Sequence, residues 1–554
     1  VRRPTPWIAL LAVVTLAAVL RSTRLFWGLS QGTWFFDEVA IWQARIGPFA
    51  RLGWRSFDQK NLGYPTLYGY LAGLTAWGVS QFDVSIFSRP TTLIACERAV
   101  SALAGVLAVL VVGRTASAMY GPWVGVAAAA FLATAPLDVM QTHYASVETL
   151  LVLATALVIG ASWRLVERRT AGWAILGGAA VGIATASKYP GVVLGTAVAW
   201  AIVESAWAER SLTRAIVLAI AAAVGFVAAF AITCPPCVLR PDALAKSLRL
   251  TGVLVELNVA DNNALSPYIG WWGRRWLHQL VAVMPYGLGL PVALLAYAGV
   301  AVAAARRIAP DRLLLAALLP FYVFIGSYVA VYPRYVLPLF PGLAILAAAA
   351  LPALLRPRAA VAVAVLVVAY GIALSESQLS RFSWDQQAAV AQWLGARVAR
   401  LPESDRRVGI TGNLDADPFF RLKRPITAQG YSVVVQRRFR WLEGRPAYFV
   451  VPEWHAIAIR RDRRSERLVG TLDALDAGKL GYHRVLRIPI PPYLQRPLDE
   501  CLDPAFAVDL WQGAIGFTVY ARDDLPPDPE DTAANEGPQP QGRTSALHGD
   551  REPQ

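Results

Sequence analysis

Tyr64-Pro-Thr-Leu-Tyr-Gly-Tyr-Leu-Ala-Gly-Leu-Thr-Ala-Trp-Gly-Val79 decides how the rest of the chain is arranged. The stretch is apolar but short, and Gly69, Gly73 and Gly78 interrupt it. Crossing a bilayer takes about 20 apolar residues. If this stretch crossed, every later loop would change sides. Those short loops carry Arg114; Arg164, Arg168 and Arg169; Arg210 and Arg214; Arg306, Arg307 and Arg312; and Arg356 and Arg358. Basic residues in short loops mark the cytoplasmic side. A non-spanning helix over 64–79 leaves all of them on the side of Arg2-Arg3, whereas a spanning one sets them opposite. The non-spanning reading therefore prevails.

The expectation is a polytopic α-helical membrane protein with about eleven transmembrane helices and a cytoplasmic N-terminus. The spans fall at 7–29, 93–113, 122–140, 149–166, 173–188, 190–207, 215–233, 281–304, 313–331, 334–355 and 359–375. Composition agrees. The 554 residues are 56% hydrophobic and only 16% charged, against roughly 25% charged in soluble proteins. Mean hydropathy is +0.43. Arg2-Arg3 and the first apolar run imitate a signal peptide, but Ala9 to Leu29 holds no convincing cleavage site, so an uncleaved first span is expected. The net charge of +14 does not indicate nucleic acid, because the Arg residues fall in short loops and in the C-terminal region.

Composition turns soluble near Glu376. Trp384 to Arg400 reads as an amphipathic helix. Arg407 to Thr411, Ala447 to Val451 and Gly516 to Tyr520 read as strands. The expected organisation is a membrane domain over 1–375 with a first outer loop at 30–92, an extracytoplasmic α/β domain over 376–524, and a disordered tail over 525–554. Cys234-Pro-Pro-Cys237 has the spacing of a redox motif without a thioredoxin-like context, and reads as a packed or incidental pair.

Asp37-Glu38 lies in the first outer loop. Adjacent carboxylates beside a span are costly to desolvate unless they bind cations or take part in chemistry. The same face receives Gln141-Thr-His-Tyr-Ala-Ser-Val-Glu148, the break at Lys188-Tyr189-Pro190, the long loop Cys234 to Leu280, and the turn Val331-Tyr-Pro-Arg-Tyr335. A carboxylate facing several cations suits a reaction in which a hydroxyl loses a proton while a phosphate leaves. Asp37 would serve as the base. Lys188, Arg334, Arg274 and Arg275 would hold the phosphate.

Phe36-Asp37-Glu38, Tyr64 to Leu71, His143-Tyr-Ala-Ser-Val-Glu148, Ser187-Lys-Tyr-Pro-Gly191 and Arg334-Tyr-Val-Leu-Pro338 resemble motifs of the GT-C fold glycosyltransferases. The similarity is to the protein-mannosyltransferase-like group that includes the lipid A aminoarabinose transferases, and it covers roughly residues 5–375. That resemblance implies a GT-C type fold in a cytoplasmic (inner) membrane, with the active site on the extracytoplasmic face. It implies transfer of a sugar from a polyprenyl-phosphate donor to an extracytoplasmic acceptor, with Asp37 as general base and Glu38 in support. Many members place a divalent metal or a basic residue near the donor phosphate, so a metal held through Asp37, Glu148 and His143 is an expectation beside the basic ligands. Two departures stand out: Gly63-Tyr64 replaces the Lys or His often found before the juxtamembrane Pro, and Glu148 stands where Asp is commoner.

Each residue also has a plainer role. Asp37 could cap a loop helix and Glu38 simply be solvated. Glu148 could cap the fourth span, where the helix dipole favours an acid. His143 could be an interface residue, and Arg334 could snorkel to headgroups. Asp138 could pair with a neighbouring helix or join the site. Trp271-Trp272 read as interfacial anchors. The rival classes are a transporter or flippase of lipid-linked saccharide and a non-catalytic envelope scaffold. Neither explains why polar groups gather at one outer face beside Asp37-Glu38.

Overall fold

The computed structural model describes residues 5–29, 62–83, 85–86, 89–250, 275–328, 332–383, 386–412, 432–437, 444–453, 456, 459–460, 466–489, 494–495 and 516–526. The chain divides into two units, one of 1–385 with 492–514 and one of 386–491 with 515–554.

The first unit is helical. Among the described residues, seven helices are long and apolar enough to cross a membrane: Thr91–Tyr120, Val147–Arg168, Tyr189–Glu209, Leu212–Thr233, Ala309–Gly326, Pro333–Leu354 and Pro357–Ser380. Four shorter apolar helices, Pro6–Ser22, Pro122–Ala133, Ala171–Ser187 and Leu290–Arg306, lie where the sequence places further spans. Pro333–Leu354 is the most enclosed, with 89% of its apolar window buried, against 17% for Leu212–Thr233. The enclosed helix is core. The exposed apolar flanks of the other suit contact with lipid rather than water.

The deciding stretch forms one helix, Leu67–Ser80, of 14 residues. At 1.5 Å per residue that is about 21 Å, short of a 30 Å hydrocarbon core. Its buried side, Leu67, Tyr68, Ala72, Ala76 and Ser80, repeats at helical spacing. Tyr68 Oη donates to Glu97 O at 2.7 Å and lies 2.8 Å from Ser101 Oγ, which ties the helix to Pro90–Tyr120.

The basic short loops gather at one end of the unit. Arg312 pairs with Glu204, and Arg306 and Tyr120 both bind Asp311. Arg214 donates to Arg169 O. Arg114 lies 5.7 Å from the Trp7 ring, so the start of the first helix sits at the same end. The chain order that the Arg pattern suggested is thus matched by direct contacts between those loops.

Small residues let two helices touch. Gly178 on Ala171–Ser187 and Gly225 on Leu212–Thr233 face each other's backbones. A Cβ at Gly178 would lie 1.9 Å from Ala222 O, and one at Gly225 would lie 2.1 Å from Ile175 O. Close backbone approach through small residues is the usual way membrane helices associate.

Cys234 and Cys237 are disulfide-bonded, which corrects the reading of an incidental pair. Pro235 opens the short helix Pro235–Leu239 directly after Leu212–Thr233. That turn brings the two Cα atoms to 5.5 Å, within bridging range.

The second unit is α/β. Its five-stranded sheet has the order β2-β1-β3-β5-β4, built from β1 Arg407–Gly412, β2 Ser432–Arg437, β3 Tyr448–Pro452, β4 Tyr482–Ile488 and β5 Phe517–Arg522. β1 pairs in parallel with β2 and β3, while β5 runs antiparallel to β3 and β4. Helices Gln386–Val398 and Glu466–Asp476 accompany the sheet. Leu472 and Leu475 pack with Phe449, Val451, Tyr482 and Tyr520 in its core.

Gly178→Leu should destabilise the first unit by at least the ~1–3 kcal/mol typical of overpacking, seen as a lower melting temperature in detergent. Gly78→Ala meets open space and should be neutral or stabilising by up to about 1 kcal/mol. Equal melting of the two variants would contradict the packing described.

Candidate active site

Pro190 and Pro333 build the site locally. A proline lacks an N–H and its ring clashes with the carbonyl four residues back, so a helix stops before it. Ala171–Ser187 accordingly ends at Lys188, whose φ and ψ of −155° and 134° are extended, and the chain resumes as the 3₁₀ turn Tyr189–Leu194. Pro333 opens a second 3₁₀ segment, Pro333–Leu339, with Arg334 as its second residue. Glu148 is the second residue of Val147–Arg168. That helix and Ala171–Ser187 form a hairpin through Arg169-Thr170, so Glu148 and Lys188 lie at the same end, away from the basic loops.

The three charges meet. Lys188 Nζ lies 2.7 Å from Glu148 Oε1, and Arg334 Nε lies 3.3 Å from the same oxygen. Ser146 Oγ donates to Glu148 Oε2 at 2.9 Å and to Gln141 Oε1 at 3.2 Å, its single hydrogen serving one at a time. Ser146 is the N-cap residue, yet its hydroxyl makes no capping bond; it serves the carboxylate instead. Glu148 is 6% exposed, Lys188 12% and Arg334 11%, so the cluster is nearly dry. Tyrosines surround the cations. Lys188 Nζ is 4.5 Å from the Tyr335 ring centre and 6.0 Å from that of Tyr64. The Arg334 guanidinium is 4.5 Å from Tyr332 and 5.8 Å from Tyr335. Ring faces attract cations, more strongly when water is excluded.

The remaining candidates fall elsewhere. Asp37, Glu38, Arg274, Trp271 and Trp272 lie outside the described residues, and Arg275 opens the short helix Arg275–His278. His143 is fully buried. Its ring nitrogens lie 2.8 Å from Val139 O and from Thr23 O, and the ring stacks on Phe382 with centres 5.2 Å apart. Burial pushes its pKa down to about 4, against the two carbonyls, which favour the charged ring. Asp138 pairs with Arg21 in a fully buried bridge. With Glu148 held by two cations and both His143 nitrogens facing carbonyls, these two side chains do not fit a shared metal. Among the described residues, no group of three or more His, Cys, Asp or Glu is arranged to hold one.

Gln141, Ser146, Tyr64, Tyr332 and Tyr335 were not singled out from sequence. The tyrosines carried a signal, since Tyr-Pro-Arg-Tyr places a ring on either side of Arg334. Gln141 and Ser146 carried none beyond being polar loop residues.

Residues 85–233 match the family described as dolichyl-phosphate-mannose-protein mannosyltransferase. No curated protein matches the chain in sequence. Among solved structures, the chain is similar to the apo oligosaccharyltransferase of Archaeoglobus fulgidus, at 14% identity over 83% of this chain and 71% of that one, with a TM-score of 0.50. It is also similar to ArnT from Cupriavidus metallidurans bound to undecaprenyl phosphate, at 15% identity over 97% of this chain and 100% of that one, with a TM-score of 0.47. The resemblance to GT-C glycosyltransferases read from the motifs is borne out, and the chain is a multi-pass, mannosyltransferase-like membrane protein of the GT-C fold.

Removing Glu148 takes the carboxylate from both Lys188 and Arg334, whereas removing Lys188 leaves Glu148 its guanidinium. Glu148→Ala should therefore cost about 3–5 kcal/mol, the range for breaking a buried pair, and Lys188→Ala clearly less. Thermal unfolding in detergent measures both. A loss for Lys188→Ala as large as that for Glu148→Ala would contradict the shared carboxylate.

Proposed function

We propose that this protein transfers a sugar from a polyprenyl-phosphate-linked donor to an acceptor outside the cytoplasmic membrane. The observation that carries the reading is the dry Glu148–Lys188–Arg334 cluster at the ends of three helical segments. Two cations kept beside one buried carboxylate are in place to meet a phosphate. The match of residues 85–233 to a family acting from a lipid phosphate supports the same donor class.

In this reaction the acceptor oxygen attacks the anomeric carbon of the sugar. Asp37 takes the hydroxyl proton, with Glu38 in support, and the bond from that carbon to the phosphate oxygen breaks. The phosphodiester leaves as a monoester, gaining negative charge as it does so. Lys188 and Arg334 stabilise that charge where water is excluded, so their effect is larger in the transition state than in the bound donor. Arg274 and Arg275, from the long outer loop, are the further phosphate ligands of this proposal. The role proposed for His143 is to fix the 142–146 turn by its carbonyl contacts rather than to bind a ligand.

The orientation is part of the proposal. The site end faces outward, opposite the basic loops, and the 376–524 region lies on the outer side. The Cys234–Cys237 disulfide supports this, since such bonds persist in oxidising compartments. A transporter or flippase would favour ionisable groups near the bilayer midplane; here the cluster is at helix ends.

The test is turnover with a polyprenyl-phosphate sugar in detergent or liposomes. Asp37→Asn should lower kcat by ~10²–10⁴-fold, the usual contribution of a general base, with folding intact. Lys188→Ala and Arg334→Ala should each weaken donor affinity by roughly one to two orders of magnitude, from ~1.5–3 kcal/mol per charged hydrogen bond. Full turnover by a folded Asp37→Asn protein would overturn the catalytic assignment.

A further inference from the structure

Gln141 closes the short helix Pro136–Gln141 and is 1% exposed. Its carboxamide oxygen accepts from Ser146 Oγ, the hydroxyl that also serves Glu148 Oε2. Its carboxamide nitrogen, Nε2, has no hydrogen-bond partner among the described residues. A buried donor left without a partner is costly, so a retained one needs a reason. This donor is one hydroxyl away from the cation cluster.

We propose that Gln141 Nε2 is a further ligand of the donor phosphate, completing a set with Lys188 and Arg334. This deepens the donor-site reading and rests on it. The chemistry of the set selects the ligand. An ammonium and a guanidinium offer hydrogens and no lone pairs, and the Gln141 nitrogen adds a third donor of the same kind. Both oxygens of Glu148 are already engaged, Oε1 by the two cations and Oε2 by Ser146. A sugar hydroxyl needs an acceptor as well as a donor and would leave its own hydrogen unmatched here. Non-bridging phosphate oxygens only accept. A phosphate can meet these donors without taking Glu148 from its cations. The neutral carboxamide adds a hydrogen bond without adding a charge.

A structural role and a ligand role make opposite forecasts for one substitution. Gln141→Met keeps the length of the side chain and removes the orphan donor. Ser146 then gives its hydrogen to Glu148 alone, and no new unpaired group is made. The melting temperature of the full chain in detergent should therefore hold or rise. Its affinity for a short-chain polyprenyl phosphate carrying no sugar should fall about tenfold to a hundredfold, the effect of one lost hydrogen bond to a charged group. Gln141→Glu, which sets a carboxylate against the phosphate, should weaken binding further. Lys188→Ala is run beside them. If Lys188→Ala weakens binding and Gln141→Met does not, the assignment of Gln141 fails while the donor site stands. If the parent does not bind the lipid phosphate, or Lys188→Ala binds as the parent does, the donor-site reading itself fails. A marked drop in melting temperature for Gln141→Met would show the carboxamide to be structural. Weakened binding confined to a sugar-bearing donor would assign Gln141 to the sugar instead, and either result overturns the proposal.

Discussion

The carboxylate of Glu148, held between Lys188 and Arg334, joins three helical segments that are distant in sequence. Taking each of these ions out of water costs several kcal/mol, and their attraction repays this only with good geometry and further hydrogen bonds. The geometry here is good, with the ammonium at 2.7 Å and Ser146 supplying the second oxygen. A hydrophobic trio of similar volume would often hold the helices at least as well. Stability alone therefore does not account for the cluster, which leaves room for the donor-site role proposed for it. It stores cations in a dry place without leaving them unpaired.

That arrangement depends on where helices stop. Pro190 ends one helix and leaves Lys188 at its tip, and Pro333 opens the 3₁₀ segment that carries Arg334 as its second residue. The hairpin formed by Val147–Arg168 and Ala171–Ser187 brings Glu148 and Lys188 to one end. Below the cluster, Gly178 and Gly225 let Ala171–Ser187 press against Leu212–Thr233, which fixes the helix that carries Lys188. At the opposite end Arg306, Arg312 and Arg214 tie the basic loops together. One end of the unit is thus knitted by exposed and half-exposed arginines, while the other holds an almost anhydrous charge cluster.

Much of this was legible in the sequence. Runs of apolar residues near bilayer length located the helices. The glycine-interrupted stretch at 64–79 forms a single helix of 14 residues, Leu67–Ser80. Lys188, Arg334 and Glu148 were each visible as charges beside a proline break or a helix start. Their meeting was not, since Glu148 was grouped with His143, its neighbour in sequence. Packing turned the two apart and gave Glu148 partners 40 residues or more away. Tertiary contact of that kind leaves no local trace. The same holds for Gln141, an ordinary loop polar residue until burial strands its nitrogen. In the second unit, β1, β3 and β5 were found because they are central and apolar. The missed strands, β2 and β4, are the edges of the sheet. The exposed His483 and Arg484 blur the β4 pattern, as charge on an edge strand does, whereas β2, with Val433, Val434 and Val435, carried an apolar signal that was passed over.

The central claim is that the cations beside Glu148 receive the phosphate of a lipid-linked donor. A density map of the full chain with a short-chain polyprenyl phosphate tests it most directly. The account predicts phosphate density within hydrogen-bond distance of Lys188 Nζ and the Arg334 guanidinium, with Glu148 still in contact with at least one of them. Phosphate density at a different place, with none beside Lys188 and Arg334, would contradict it.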